Sequence, residues 1–336
     1  LFVLFGQPQP PLKLNAAEAG EGLPGFRFEA TQGTLASDRI NNAASIGDVD
    51  GNGIADLAVA TSRREGTEPI LFLIFGRSGF PAVLRQDDPP ATLGAAFPGF
   101  TGLEGAGDVG GDGRADLLLA LEDKALPAPA RLYLLDGRAP GQLPAVVDGN
   151  VLEQLGPRAV LVEPYDLRYG TSTTTPSLTT ARGRDIDGDG KPELCLGNQF
   201  RTIDGGPALS STAGVVYILR GAPPIQGELT APETAGDLGV EINGLEPEAR
   251  LGTQVFLPGD FTGDGKGEAL LISRKDSCLA PGLRDYTMKI WLVSGRAIEP
   301  VLPPSLGRIF PETGGTPGGE KVLLLGTGFG AQSRVL

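Results

Sequence analysis

Residues 47–60 read GDVDGNGIADLAVA, an acidic, glycine-rich turn that leads directly into an apolar run. The same pattern recurs as GDVGGDGRADLLLA at 107–120, RDIDGDGKPELCLG at 184–197 and GDFTGDGKGEALLI at 259–272. The leading aspartates, Asp48, Asp108, Asp185 and Asp260, are separated by 60, 77 and 75 residues. A complex turn that returns at such spacings indicates a fold built from repeats.

A second apolar run follows each acidic turn after a variable polar stretch, and it ends in or near glycine. These runs are Leu71 to Gly76, Leu132 to Gly137, Val215 to Gly221 and Ile290 to Gly295. Short apolar runs bounded by turn residues are typical of β-strands. Each unit therefore reads strand, acidic loop, strand, variable loop, strand and turn, which predicts an all-β fold of propeller blades or sandwich hairpins.

The composition excludes several classes of function. The chain of 336 residues carries a formal net charge of −13 and has 51 glycines, 29 prolines and no histidine. The charge argues against nucleic-acid binding, and no apolar run approaches the roughly 20 residues of a membrane-spanning helix. Without histidine the commonest general base and zinc ligand is missing. The two cysteines, Cys195 and Cys278, could form a disulfide, but their spacing does not decide this.

The first acidic loop (48–56) places oxygen atoms where they can converge on one cation. Counted from the first aspartate, positions 1, 3, 5, 7 and 9 are Asp48, Asp50, Asn52, Ile54 and Asp56. Position 7 would contribute its backbone carbonyl, and the intervening glycines allow left-handed turns. An EF-hand would need a glutamate at position 12, where this chain has Val59. We therefore predict a calcium loop flanked by strands and distinct from an EF-hand.

The other three loops keep this pattern to different degrees. At the same five positions the third loop (185–193) has Asp185, Asp187, Asp189, Lys191 and Glu193, the fourth (260–268) has Asp260, Thr262, Asp264, Lys266 and Glu268, and the second (108–116) has Asp108, Gly110, Asp112, Arg114 and Asp116. We predict strong calcium sites in the first and third loops and weaker ones in the other two, which lack a carboxylate at position 3. The alternative for any one loop, above all the second, is a hairpin turn that needs no metal.

These loops, the strands after them and the closing Phe75-Gly76 resemble the FG-GAP repeat of integrin α-subunit propellers and of bacterial extracellular proteins. The run FGRSGFPA at 75–82 is similar to the bacterial version especially. The resemblance covers nearly the whole chain, although its Gly-Ala-Pro element is degraded to sequences such as Val59-Ala60-Thr61. It implies a β-propeller, commonly of seven blades, with structural calcium in loops on one face and ligand contacts on the opposite face or rim.

Under this resemblance the chain divides into four full repeats with a partial blade at each end. The expected units are 1–24, 25–96, 97–158, 159–245, 246–308 and 309–336. Either the two end units share one incomplete blade in a closed ring of about five blades, or the chain is part of a longer propeller. We expect the second, because an open edge and a missing strand would leave backbone groups unpaired. The remaining blades would come from further sequence or from other chains.

The function expected from these features is that of an extracellular or cell-surface module for adhesion or for binding a protein or glycan. Its contacts would lie in the variable segments 163–170 and 274–286, which carry aromatic and arginine side chains suited to interfaces. Extracellular placement follows from the millimolar calcium that partly degenerate loops need. The alternatives are a scaffold subunit of a surface assembly and, less favoured, an enzyme acting on polysaccharide or lipid, because the best carboxylates are already accounted for as calcium ligands.

Overall fold

A computed structural model describes the residues in the following ranges, which fall into two compact units, 1–297 and 298–336. The ranges are 1–5, 15, 18–20, 22–29, 39–62, 70–86, 88, 93–121, 130–139, 141–163, 178–199, 201, 212–221, 225–230, 238–244, 248–280, 283–297, 305–310 and 323–327. Within them the structure is mostly β-strand, which confirms the predicted all-β class.

The strands follow one another along the chain as the repeated apolar runs predict. They are β1 (Phe2–Leu4), β2 (Gly25–Glu29), β3 (Arg39–Gly47), β4 (Asp56–Ser62), β5 (Ile70–Ile74), β6 (Val83–Arg85), β7 (Gly94–Pro98), β8 (Phe100–Gly107), β9 (Asp116–Leu121), β10 (Ala130–Leu135), β11 (Ala159–Glu163), β12 (Leu178–Arg184), β13 (Glu193–Asn198), β14 (Val215–Leu219), β15 (Gly227–Thr230), β16 (Gly239–Asn243), β17 (Leu251–Gly259), β18 (Glu268–Ala280), β19 (Leu283–Ser294), β20 (Ser305–Phe310) and β21 (Leu323–Thr327).

Each acidic loop belongs to a sheet of its own. The first sheet has the order β3-β4-β5-β7, the second β8-β9-β10-β11-β15, the third β12-β13-β14-β16 and the fourth β17-β18-β19. An additional sheet, β1-β2-β6, lies at the N-terminal end, and β20 pairs with β21 in the second unit. All described pairings within these sheets are antiparallel except β2 with β6 and β11 with β15. The strand β11, from the segment predicted as the unit 159–245, is the fourth strand of the second sheet.

Apolar side chains on both faces of the second sheet pack against its neighbours. Leu117 and Leu119 of β9 face a core shared with the first sheet, and Leu118 between them faces a core shared with the third. All three are at most 2% exposed. Since successive residues of a strand point to opposite faces, this sheet has a core on each side, and each buried leucine contributes about 2 kcal/mol.

The four repeat sheets are stacked in chain order through their first strands. β8 contacts β3 on one side and β12 on the other, and β12 also contacts β17. Glycine makes this approach possible, because a Cβ on Gly105 or Gly183 would clash with the backbone carbonyl of Ile46 or Ala106 in the preceding sheet. In the part of the chain that the structure describes, the sheets form no closed barrel or propeller.

The fourth sheet leaves an apolar face exposed. Phe256 of β17 and Met288, Ile290 and Leu292 of β19 are between 46% and 66% exposed. Their register places them on one face, since Phe256 pairs with Leu270 and Leu270 with Leu292. Within 274–286, which we expected to be a variable loop, residues 274–280 and 283–286 continue β18 and β19 as a long hairpin. Residues 164–170 of the other expected contact segment lie outside the described residues.

The first unit also contains a short helix and a buried cysteine. The helix α1 (Gly149–Leu155) begins at Asp148, whose side chain accepts a bond from the Val151 N–H at 2.9 Å, and ends at Gly156 with φ of 69°. None of the helices in the described ranges has the length and apolar character to cross a membrane. Cys195 is a free, buried cysteine, and the side chain of Cys278 lies outside those described.

Candidate metal centres

The four acidic loops connect the first and second strands of the four repeat sheets. Each hairpin pairs the residue before position 1 with position 9, namely Gly47 with Asp56, Gly107 with Asp116, Arg184 with Glu193 and Gly259 with Glu268. Glycines at positions 4 and 6 have φ between 73° and 88° in all four loops. This left-handed conformation would strain any residue with a Cβ, so the chain builds the same turn each time because its glycines recur.

The aspartate at position 1 closes this turn. Asp48 accepts hydrogen bonds from the backbone N–H of Gly51 at 2.8 Å, of Asn52 at 3.0 Å and of Gly53 at 2.7 Å. Asp108, Asp185 and Asp260 accept corresponding bonds inside their own loops. Charge-assisted bonds of this kind hold the loop backbone with the chain's own atoms.

The carboxylate at position 9 links the loop to the third strand of its sheet. In the first loop, Oδ2 of Asp56 accepts the Val49 N–H at 2.8 Å, and Oδ1 accepts the Gly76 N–H at 2.6 Å. Asp56 is 1% exposed, so losing it would leave two buried donors without an acceptor. From the sequence we predicted this residue only as a cation ligand. The glycine that ends each second apolar run was the signal for the additional role.

The other loops repeat this link with one variation. Asp116 accepts the N–H groups of Gly110 at 2.8 Å and Gly137 at 2.9 Å. Glu193 accepts those of Ile186 at 2.7 Å and Gly221 at 3.3 Å. In the fourth loop both oxygens of Glu268 stay within the loop and accept from Phe261 and Thr262.

Carboxylate oxygens converge in three of the four loops. The triads are Asp48, Asp50 and Asp56 in the first loop, Asp185, Asp187 and Glu193 in the third, and Asp260, Asp264 and Glu268 in the fourth, with ligand atoms within 4.8 Å of one another. Oxygen donors alone suit a hard divalent cation such as Ca²⁺ or Mg²⁺. The residues of these loops therefore fit a metal ion. The second loop, although fully described, forms no such triad.

Burial strengthens the case for a cation in the first and third loops. Asp50 and Asp187, both at position 3, are 5% and 6% exposed. Burial raises the pKa of each, because a carboxylate removed from water disfavours its charged form. Burial likewise raises the pKa of Asp56 to about 6 and of Glu193 to about 7. Such carboxylates are costly to ionise unless a positive charge lies among them.

The side chains at position 5 lie outside the first and third triads. Asn52 uses Oδ1 to accept the Ile54 N–H at 2.8 Å and donates from Nδ2 to the Gly76 carbonyl at 2.8 Å. Asp189 similarly accepts the Lys191 N–H at 2.8 Å. In the fourth loop the order changes: Asp264 at position 5 joins the triad, and the hydroxyl of Thr262 at position 3 donates to Glu268.

Position 7 has a feature that the sequence analysis did not foresee. The prediction that its backbone carbonyl binds the cation stays a prediction, and in two loops the charged side chain of the same residue lies against the preceding loop. A Cβ built on Gly51 would be 3.0 Å from Nε of Arg114, and one built on Gly188 would be 3.0 Å from Nζ of Lys266. Lys266 also donates to the backbone carbonyl of Asp187. The first and third loops therefore each have a fixed positive charge beside them.

No protein-family model and no curated protein matches the chain.

Proposed function

We propose that the chain is part of a calcium-stabilised β-propeller that acts outside the cell as a binding module for a protein or glycan. The observation that carries the proposal is the recurrence of one oxygen-lined triad in the same hairpin of the first, third and fourth sheets. A cation in each triad would neutralise carboxylates that repel one another, so its role would be structural. Calcium is favoured over magnesium because irregular sets of carboxylate and carbonyl oxygens suit its flexible coordination.

The propeller arrangement is supported by contacts between neighbouring repeats. The Ala115 N–H of the second loop donates to the Asp48 carbonyl of the first at 2.7 Å, and the Gly267 N–H of the fourth donates to the Ile186 carbonyl of the third at 3.0 Å. The third loop has Pro192 at position 8, which has no N–H to donate to the second loop. Its ring instead lies close to Gly107, just before the second loop. Consecutive blades of a propeller would bring successive loops into contact in this way.

The exposed apolar face of the fourth sheet supports the second candidate function, a scaffold subunit. Phe261, at position 2 of the fourth loop, is 77% exposed, whereas Val49, Val109 and Ile186 at that position are at most 3% exposed. In the first three repeats this residue is covered by packing with its neighbours. A further blade, from this protein or from another subunit, would cover Phe261 and the adjacent face in the same way.

Calcium binding is tested by counting the ions and by melting the protein. We expect about three calcium ions per chain after equilibrium dialysis, one for each triad. Filling one site to 100 times its Kd contributes about 2.7 kcal/mol, so the Tm in calcium should exceed that in chelator by about 5 °C or more. Zero bound calcium with an unchanged Tm would overturn the structural-metal proposal.

The binding role needs its own experiment. A glycan array and a pull-down of surface proteins, each run in calcium and in chelator, separate a lectin-like role from protein binding. A scaffold subunit should bind no glycan on the array but should assemble with other subunits, which light scattering would detect as a larger mass.

A further inference from the structure

The second loop departs from the others at three places that lie together in space. Position 3 is Gly110, where the first and third loops have Asp50 and Asp187. The residue before the glycine that closes the third strand is Asp136, where the other repeats have Phe75, Arg220 and Ser294. The third departure is Arg158, at the start of the fourth strand.

Strand register identifies the residues that correspond to Arg158. In the first sheet Ile74 pairs with Gly94, and in the third Leu219 pairs with Gly239. In the second sheet Leu134 pairs with Ala159, so Arg158 lies beside Leu135, the counterpart of Ile74 and Leu219. Arg158 therefore occupies, in the second sheet, the position that Gly94 has in the first and Gly239 in the third. Its backbone is fixed, since its N–H donates to Leu134 at 2.8 Å and its carbonyl accepts from Gly227 at 2.8 Å.

The side chain of Arg158 occupies the space of the missing carboxylate. A Cβ built on Gly110 would be 2.5 Å from Nη2 of Arg158, closer than such atoms can approach, and 3.6 Å from Oδ2 of Asp116. An aspartate at position 3 would therefore displace the guanidinium from its present place. Glycine at 110 is what admits the guanidinium to the loop.

Asp136 holds the guanidinium in this place. Nε of Arg158 donates to Oδ1 of Asp136 at 2.5 Å, and the two side chains are 23% and 39% exposed. Asp116 and Asp112 also interact electrostatically with Arg158, and the hydrogen bond to Asp136 is the largest of the effects that raise its pKa. The carboxylates of Asp112 and Asp116 in the loop and of Asp136 after the third strand thus share one delocalised positive charge.

We infer that the guanidinium of Arg158 is the resident cation of the second loop, so that this hairpin keeps the shared turn without a metal ion. The arrangement goes beyond the proposed calcium role of the other loops, because it depends only on charges within the chain. Three exchanged residues, Gly110, Asp136 and Arg158, convert a metal-type loop into one with its own cation. The inference stands whatever the first, third and fourth loops bind.

The first test removes the charge. Arg158→Gln should lower the Tm by about 3 °C or more, by the same amount in calcium and in chelator, because Asp136 and Asp116 lose their counter-charge. Arg158→Lys should lower the Tm by less than Arg158→Gln does, because lysine keeps the positive charge but lacks the planar fork of the guanidinium. The matched control is Arg85→Gln, an exposed arginine paired with Glu29 on the N-terminal sheet, which should change the Tm by less than about 1 °C. An Arg158→Gln loss confined to calcium-containing buffer would overturn the inference.

The second test adds a metal site. The double variant Gly110→Asp with Arg158→Gly reproduces the first loop at both places, and it should bind about one more calcium ion per chain than the parent. Asp112→Asn in the parent should leave the calcium count unchanged. A lower count in that variant would mean that the natural second loop already holds a metal, which contradicts the role of Arg158. If no loop of the parent binds calcium, the calcium proposal fails, while the metal-independent loss in Arg158→Gln still tests the arginine.

Discussion

The first and second loops share one backbone and differ in how their charge is balanced. Both have an aspartate at position 1 that accepts N–H groups of the turn, left-handed glycines at positions 4 and 6, and a buried aspartate at position 9. Only the first brings three carboxylates together. In the second, glycine replaces the middle carboxylate and Arg158 lies in its space.

This difference separates the shape of the loop from its affinity for metal. The turn and its link to the third strand are made by positions 1, 4, 6 and 9, which both loops keep. In the first loop the cation site depends in addition on Asp50 at position 3, whereas in the second loop Gly110 leaves that place to the guanidinium of Arg158. The same turn can therefore form without a metal ion, and in the second loop the signs of this are Gly110 at position 3 together with Arg158 beside it.

The largest effect should come from the residue that both loops share. Asp56→Ala removes the acceptor of two buried N–H groups, and Asp116→Ala that of one buried and one half-buried N–H group. Either change should cost about 3 kcal/mol and lower the Tm by about 6 °C. The loss should persist in chelator, because these hydrogen bonds need no metal. Asp88→Ala, at a half-buried aspartate in a peripheral turn, serves as the control in thermal melts. Equal melting of Asp56→Ala and the parent in chelator would show that position 9 of the first loop acts through a cation alone.

The next largest effect is on the calcium-induced rise in Tm, which should respond to a carboxylate change in the first loop and not in the second. Asp50→Asn should reduce the calcium-induced rise in Tm by about 5 °C, the contribution of one filled site. In chelator the same variant should melt slightly above the parent, because burial disfavours the Asp50 charge that it removes. Asp112→Asn in the second loop should leave the calcium-induced rise as it is. Calorimetric melts of both variants in calcium and in chelator make the comparison, and equal sensitivity of the two loops would contradict it.

The pH dependence should change sign with calcium. The folded-state pKa values of Asp56, about 6, and Glu193, about 7, lie above the ordinary values, so the folded protein binds protons that the unfolded chain releases. Stability without calcium is therefore lost as the pH rises through these values, and the Tm should be higher near pH 5.5 than near pH 8 by about 4 °C. With saturating calcium the slope should reverse, because protons compete with the cation for the same oxygens.

A matched variant attributes this slope to the loops. Asp56→Asn removes one of the buried carboxylates whose pKa is raised, so it should make the pH dependence in chelator less steep. Parallel slopes with and without calcium would show that the titrating carboxylates and the cation sites are separate.

The repeated turn was predictable from the sequence because its determinants are local. Alternating acidic residues and glycines fix the turn within nine residues, and the apolar runs on either side fix the strands. For the same reason the convergence of Asp48 with Asp50 and of Asp185 with Asp187 could be predicted. The long hairpin of β18 and β19 was not predicted, because polar residues such as Arg274 and Lys275 lack the apolar pattern of a strand. These residues are in a strand because they pair with β19.

The missing parts of the site come from residues far away in the sequence. Arg158 is 48 residues beyond Gly110, and only the register of the fourth strand brings the two together. The link from Asp56 to Gly76 and the position of Lys266 beside the third loop depend likewise on the packing of strands and sheets. The local pattern of the sequence does not show which strands and which sheets become neighbours, and these contacts depend on that pairing.

The smallest expected effect joins the two loops directly. Arg114, at position 7 of the second loop, lies against Gly51 of the first and pairs with Asp112 at 3.1 Å. Its charge should weaken cation binding to the first loop, although solvent screens a side chain that is 34% exposed. Arg114→Gln should therefore lower the calcium Kd of the first loop about twofold. Calorimetric titration at low salt measures this change.

Salt provides the control for that effect. Because the interaction is between charges near the surface, the twofold difference should shrink in about 0.5 M salt, where the Debye length is only a few ångströms. Lys266→Gln, beside the third loop, should act in the same direction. Weaker calcium binding in Arg114→Gln would mean that this arginine orders the first loop instead of repelling its cation, and the two loops would then cooperate through packing and not through charge.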